Sequence, residues 1–170
     1  MKDQEGFLNS LKELPMNKLS VRIMKSQYIQ EEHLNIIIDG KLLDNILHEH
    51  YPDELLLGLV PTIVDWLGTE EEVRLIQSAF FSNEESSIVP VLMCPDDCDL
   101  SCTLIVVEVE TSSEAVVWKR MGINISNPAE AMKRNRFLQH EIKWLSKIPI
   151  MYFSKEDYKS LENIYQNTKK

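Results

Sequence analysis

Three cysteines lie four residues apart in the middle of the chain, at Cys94, Cys98 and Cys102. Structural zinc usually requires four nitrogen or sulfur ligands with paired spacings such as C-x2-C, and the sequence has no second cysteine pair. The spacing also differs from the runs that hold iron–sulfur clusters. We therefore predict no metal site and no cofactor. An odd number of cysteines is more typical of free thiols in a reducing compartment than of a secreted disulfide framework.

Carboxylates surround these thiols and continue into the next apolar run. Asp96, Asp97 and Asp99 stand between the cysteines, and Glu108 and Glu110 follow at alternating positions. Aspartate is favoured in turns because its side chain bonds the nearby backbone, which explains the aspartates without any function. The alternative is an acidic docking face, because Glu108 and Glu110 are predicted to point outward from a half-solvated strand.

The histidines and serines do not complete an active site. His48 and His50 fall on a predicted helix, where residues two apart point to different sides, and the other two histidines are isolated in the sequence. No serine lies in a G-x-S-x-G elbow, and glycine-rich phosphate loops are absent from the sequence. We predict no catalytic residues. The alternative is a small metal- or thiol-dependent enzyme centred on Cys94, Cys98 and Cys102.

Trp118 is the aromatic residue most suggestive of a binding surface. Tryptophan usually anchors a core or its edge, but it is also the residue most enriched at binding hot spots. The neighbours Lys119 and Arg120 indicate a strand end near the surface. We therefore predict that Trp118 lies on an exposed edge and contacts a partner.

Composition predicts one globular domain over residues 1–170. Hydrophobic residues make up 44% of the chain and charged residues 26%, which is an ordinary globular composition. The net charge of −9 argues against nucleic-acid binding, which needs clustered lysine and arginine. No apolar stretch has the length of a membrane helix, and the first residues lack the basic segment followed by an apolar segment that forms an export signal. The expected location is the cytoplasm.

The first half of the sequence alternates short strands and helices. Residues 19–29 and 34–39 are rich in β-branched side chains and could pair as antiparallel strands. The apolar stretch 54–68 is interrupted by Gly58 and Pro61, so it is either two short buried pieces or a strand, loop and short helix. Amphipathic patterns and a capping-box spacing predict three helices, at about residues 5–13, 41–50 and 70–80.

The middle predicts a central antiparallel sheet, a meander over about residues 87–121, with helices packed on it. Three β-branched runs, SSIVPVLMC, CTLIVVEVE and AVVWKRMGI, are separated by turn-forming residues. Asn127 and Pro128 then begin a helix over part of 128–145. A short strand at 148–153 and a final helix capped by Ser154 complete the α+β pattern.

The segments VPVLMCPDD, CTLIVVEVE and VVWKR, in an acidic chain without catalytic motifs, resemble the bacterial immunity proteins of polymorphic and contact-dependent growth inhibition toxin systems. The resemblance covers the middle third of the chain. It implies a cytosolic inhibitor that neutralises a delivered toxin, often a nuclease, by covering its active site or substrate surface. Carboxylates would then meet a basic cleft and speed the encounter.

This interpretation predicts a protein toxin with a basic surface as the partner, and neither nucleic acid nor membrane. Self-association through a sheet edge, giving a homodimer, is a further alternative. The predicted partner-binding residues are nine carboxylates and one tryptophan: Glu70, Glu71, Glu84, Glu85, Asp96, Asp97, Asp99, Glu108, Glu110 and Trp118.

Overall fold

The computed structural model describes residues 16–26, 29–96 and 100–166. These residues form an α+β fold with two sheets whose strands pair antiparallel, as the sequence predicts. The helix predicted at residues 5–13 lies outside the described residues. So do Asp97, Cys98 and Asp99.

The first sheet contains three strands joined in sequence order. Its first two strands pair antiparallel with Leu19 opposite Ile38, which confirms the predicted pairing. Asp39 and Gly40 both have positive φ, of 53° and 82°, as a tight two-residue hairpin turn requires. The strands are β1 (Leu19–Met24), β2 (His33–Ile38) and β3 (Lys41–Leu42).

The second sheet has the order β4-β5-β6-β7-β8, and β9 pairs with the other half of the same edge of β7. The central meander is therefore confirmed. The undecided stretch 54–68 contains β4 and a single 3-10 turn at Val64–Trp66. The strands are β4 (Val60–Pro61), β5 (Ser86–Met93), β6 (Leu104–Thr111), β7 (Ala115–Asn124), β8 (Ile142–Trp144) and β9 (Met151–Ser154).

Local capping signals begin three of the helices. Thr69 accepts the N–H of Glu72 at 3.2 Å, as the predicted capping box requires, and its hydroxyl donates to the Glu72 carboxylate at 2.8 Å. Asn127 and Ser154 cap their helices in the predicted way. The helices are α1 (Leu43–His50), α2 (Glu70–Phe80), α3 (Pro128–Arg134), α4 (Lys155–Tyr158) and α5 (Glu162–Tyr165).

One hydrophobic cluster includes buried residues from both sheets and from the helices. Tyr165 of α5 lies fully inside it and donates its hydroxyl to the carbonyl of Pro90 at 2.8 Å. Burial raises the pKa of Tyr165 well above its usual range, because the ionised form would lose its hydration. The hydroxyl of Thr62 donates to the same carbonyl, also at 2.8 Å.

Asp44 of α1 is a buried carboxylate that fixes the following loop. Its Oδ2 accepts the N–H of Gly58 at 2.9 Å, and Gly58 adopts a φ of 94° that favours glycine. Burial raises the pKa of Asp44 above its usual value of 3.8, and backbone hydrogen bonds only partly oppose that shift.

Replacing Asp44 with asparagine is expected to increase the free energy of unfolding at pH 7. Asparagine keeps an acceptor for the Gly58 N–H without a buried charge. Because the folded protein binds the Asp44 proton more tightly than the unfolded chain does, the carboxyl lowers stability as pH rises through and above 3.8. Urea unfolding at pH 7 and pH 3.5 measures this: the advantage of Asp44→Asn should shrink at pH 3.5. The expectation would be contradicted if the free energy of unfolding of the wild type rose relative to that of Asp44→Asn as pH increases.

Candidate functional site

We call Glu70 and Glu71, at the start of α2, and Asp96, on the connection after β5, the first acidic group. Glu70 and Glu71 are exposed in the first turn of the helix. The N–H of Leu100 donates to the buried carboxylate of Glu72 at 3.0 Å, which holds the chain after β5 against this turn. Asp96 is exposed on that same connection.

A second acidic group, consisting of Glu84, Glu85 and Glu110, lies where β5 begins. Glu84 and Glu85 are exposed just before β5, and Thr111 donates its N–H to the Glu85 carbonyl at 2.9 Å. Glu110 stands opposite Ser86 in the ladder and pairs with Lys119 at 3.1 Å. The two groups lie at opposite ends of the eight-residue strand β5.

Glu108 belongs to neither group, because it is buried with 5% of its surface exposed. The expectation that it points to solvent is wrong. Arg120 donates from Nε and Nη2 to its two carboxylate oxygens at 3.2 and 3.1 Å, and Gln139 donates to Oε2 at 2.8 Å. The Arg120 guanidinium lies 3.9 Å from the centre of the Trp144 ring. Glu108 therefore supports the fold rather than a partner.

Trp118 is also buried, with 1% exposed, so the predicted exposed edge is wrong for this residue. A β-bulge is the cause. Glu108 pairs with Arg120 but Val109 pairs with Trp118, so Lys119 is an extra residue on β7. The bulge moves Trp118 onto the face of Val109, inside the core, where its Nε1 donates to the Tyr158 hydroxyl at 3.3 Å.

Cys94 and Cys102 form a disulfide, so the expectation of free thiols is wrong for these two residues. The third cysteine lies outside the described residues. The enzyme alternative is centred on these three cysteines, and this structure joins two of them in a covalent link. Among the described residues, no group of three histidine, cysteine, aspartate or glutamate side chains could hold a metal ion.

Removing the disulfide by Cys102→Ser is expected to lower the free energy of unfolding by about 2.5 kcal/mol, from the loop-closure entropy of a separation of eight residues. Urea unfolding of the oxidised wild type and the variant measures the difference. Cys98→Ser, which retains the pair, is the matched control and should unfold like wild type. Equal stability of Cys102→Ser and wild type would contradict the loop-closure argument.

His33 was an isolated histidine in the sequence, and the structure buries it in the first sheet. Its ring lies 5.1 Å from that of Trp66, and its Nδ1 lies 3.0 Å from the carbonyl oxygen of Leu34. His48 and His50 are half-buried on α1 rather than fully solvated, and His50 contacts the carbonyl of Ile46. None of these contacts joins a histidine to a cysteine or serine nucleophile in the described part of the chain.

A groove of about 530 Å³ opens beside the second acidic group, and sequence reasoning missed it. One wall is the end of α2 and the first residues of β5, and the other is the connection after α3. Asn135, in the left-handed region with φ 58°, donates its side-chain amide to Ser78 at 3.1 Å and joins the two walls. These residues are 57 positions apart, so no local pattern signals the contact.

Phe81 is an exposed aromatic side chain near this groove. It follows the last residue of α2, precedes Glu84 and Glu85, and keeps 45% of its surface exposed. Its ring packs edge-on against Phe80, with the centroids 4.8 Å apart. The second acidic group therefore has an apolar neighbour of the type that anchors protein interfaces.

Comparisons with protein-family models, curated proteins and solved structures found no match to this chain. In the described part of the chain, no helix combines the length and the apolar content needed to cross a membrane.

Proposed function

We propose that this chain is an immunity-type protein that binds a cognate protein toxin through its acidic groups and masks the toxin's basic active site. The observation that carries the proposal is a set of exposed carboxylates without an ion-pair partner among the described residues. Six other carboxylates do pair with lysine or arginine there. Among the exposed carboxylates without such a partner, we propose as the binding set the five that the sequence already predicted: Glu70, Glu71, Glu84, Glu85 and Asp96.

The electrostatics support binding of a basic surface. A net charge of −9 attracts a basic protein over distances comparable to the Debye length of about 8 Å at physiological salt. Two acidic groups at opposite ends of one strand would contact a wide face rather than a point, which suits masking of a substrate-binding surface. Phe81 supplies the apolar contact that is desolvated on binding.

The proposed place of action is the cytosol. A reducing cytosol would hold Cys94 and Cys102 as thiols. Asp96 lies inside the loop that these two cysteines close, whereas Glu70, Glu71, Glu84 and Glu85 lie outside it, so the proposal does not depend on the disulfide at these four residues.

Co-purification of the tagged chain from its own host tests the proposal. Mass spectrometry should identify a stoichiometric basic protein, and elemental analysis of the same sample should find no bound metal. Bound metal without a protein partner would instead support the enzyme alternative.

The isolated partner then allows a charge test. Changing the five unpaired carboxylates to their amides should slow association and weaken its salt dependence, because rim charges act mainly on the association rate. The matched control is Asp53→Asn, an exposed carboxylate beside the Glu54–Lys143 ion pair. Unchanged affinity and rate in the five-site variant would rule out the acidic groups as the binding surface.

A further inference from the structure

The outer edge of β5 is open at its start. In an antiparallel ladder, successive residues alternately bond the partner strand and turn their backbone groups away from it. Glu85 accepts the Thr111 N–H, so Ser87 and Val89 also bond β6. Ser86 and Ile88 consequently turn their N–H and C=O groups outward.

The contacts of Pro90 confirm this alternation. Two residues beyond Ile88, its carbonyl points away from β6 and accepts the hydroxyls of Thr62 and Tyr165. Further along, β4 pairs with Leu92 and Met93 and covers the end of the strand. No residue of the described chain pairs with the outward groups of Ser86 and Ile88, and these residues line the groove of about 530 Å³.

We propose that this edge binds an extended, basic peptide segment of a protein partner, which adds to the sheet as a strand alongside Ser86–Ile88. Strand addition takes its affinity from main-chain hydrogen bonds and its specificity from neighbouring side chains. The groove volume is within the range of about 300–1,000 Å³ that is usual for ligand sites.

The charged side chains at the open edge favour a basic peptide segment. Glu84 and Glu85 are exposed where the open edge begins, and Arg136 lines the opposite wall, so acidic side chains are in excess. Lysines on alternate residues of a bound strand would lie near these carboxylates. A second copy of this chain is disfavoured, because each copy carries a net charge of −9. That the segment belongs to a toxin rests on the proposed function, but binding of such a segment can be measured separately.

A synthetic ten-residue peptide of alternating threonine and lysine, blocked at both ends, is the probe. Its addition should slow amide hydrogen exchange at Ser86 and Ile88, because their N–H groups become hydrogen-bonded. A matched peptide with glutamate in place of lysine should bind at least tenfold more weakly. Unchanged exchange at both amides with millimolar lysine peptide would overturn the proposal. Protection that grows with protein concentration alone would assign the edge to a second copy and also overturn it.

Two proline variants of adjacent serines give a matched control. Ser86→Pro removes an N–H that points away from β6, and Pro90 already lacks an N–H at an equivalent outward position. The urea midpoint should therefore stay unchanged, while peptide affinity falls at least tenfold. Ser87→Pro removes an inward N–H of the β5–β6 ladder and should lower the urea midpoint. Unchanged peptide affinity in Ser86→Pro would contradict the proposal.

The same variants separate this proposal from the proposed function. If an isolated toxin binds Ser86→Pro as tightly as wild type, the edge is not its binding site, and the acidic groups remain the candidate surface. If the peptide protects Ser86 and Ile88 but the host yields no basic partner, the edge proposal stands and the immunity function fails.

Discussion

Replacing Trp118 with alanine is expected to lower the free energy of unfolding by about 3–5 kcal/mol, the usual cost of deleting a large aromatic side chain from a core. Only 1% of the Trp118 side chain is exposed, and its ring packs edge-on against Phe153 with the centroids 5.0 Å apart. The substitution also leaves the partly buried Tyr158 hydroxyl without its indole donor. Urea unfolding followed by far-UV circular dichroism measures the loss without relying on tryptophan fluorescence.

Trp118→Phe serves as the control, because it keeps most of the packing and removes the hydrogen bond. It should cost about 1–2 kcal/mol for the lost hydrogen bond. The sequence suggested a partner-binding role for Trp118. Trp118→Ala with near-normal stability but weakened partner binding would restore that interpretation and contradict the buried position.

Replacing Arg120 with methionine is expected to cost about 3 kcal/mol, the lower end of the range for removing one partner of a buried ion pair. The variant leaves Glu108 buried with Gln139 as its remaining side-chain donor. We take the lower end because 40% of the Arg120 side chain is exposed, so solvent screens the pair in part. Methionine retains a stem that can pack against Trp144. The measurement is the urea unfolding free energy at pH 7.

Glu108→Gln tests the asymmetry of this pair. Its expected cost is smaller, about 1–2 kcal/mol for weakened hydrogen bonds, because the partly exposed Arg120 can turn to water. The double variant should cost less than the sum of the two single changes, since neither then leaves a charge unpaired. A larger cost for Glu108→Gln than for Arg120→Met would show that the buried carboxylate is not the costly partner.

Helix starts and strand runs were predictable because their signals are local. Three helices begin at a side chain that accepts a backbone N–H two or three residues later. These side chains belong to Thr69, Asn127 and Ser154, so sequence spacing alone locates the caps. The meander likewise follows from β-branched runs separated by turn residues.

The errors about the site have non-local causes. Without a bulge, Trp118 would stand opposite Glu110 in the ladder. The extra residue Lys119 places Trp118 opposite Val109 instead, on the other face of the sheet. Glu108 was predicted to face solvent from the alternation along its strand, whereas its partners Arg120 and Gln139 come from elsewhere in the chain. Burial of a carboxylate depends on such partners, and alternation along one strand does not reveal them. The two walls of the groove meet at the contact of Asn135 with Ser78, and these residues are 57 positions apart in the sequence.

The two hydroxyls on the Pro90 carbonyl also bear on handling of the protein. Tyr165 belongs to the last described helix, so proteolytic clipping before that residue would remove one of the two groups that close the edge of β5. The Pro90 carbonyl would keep only the Thr62 hydroxyl, and the edge of β5 next to the bulge between Pro90 and Leu92 would lose the cover of the Tyr165 side chain. An uncovered strand edge can pair with strands of other chains and so promotes aggregation. An intact α5 therefore protects the colloidal stability of the protein as well as its core.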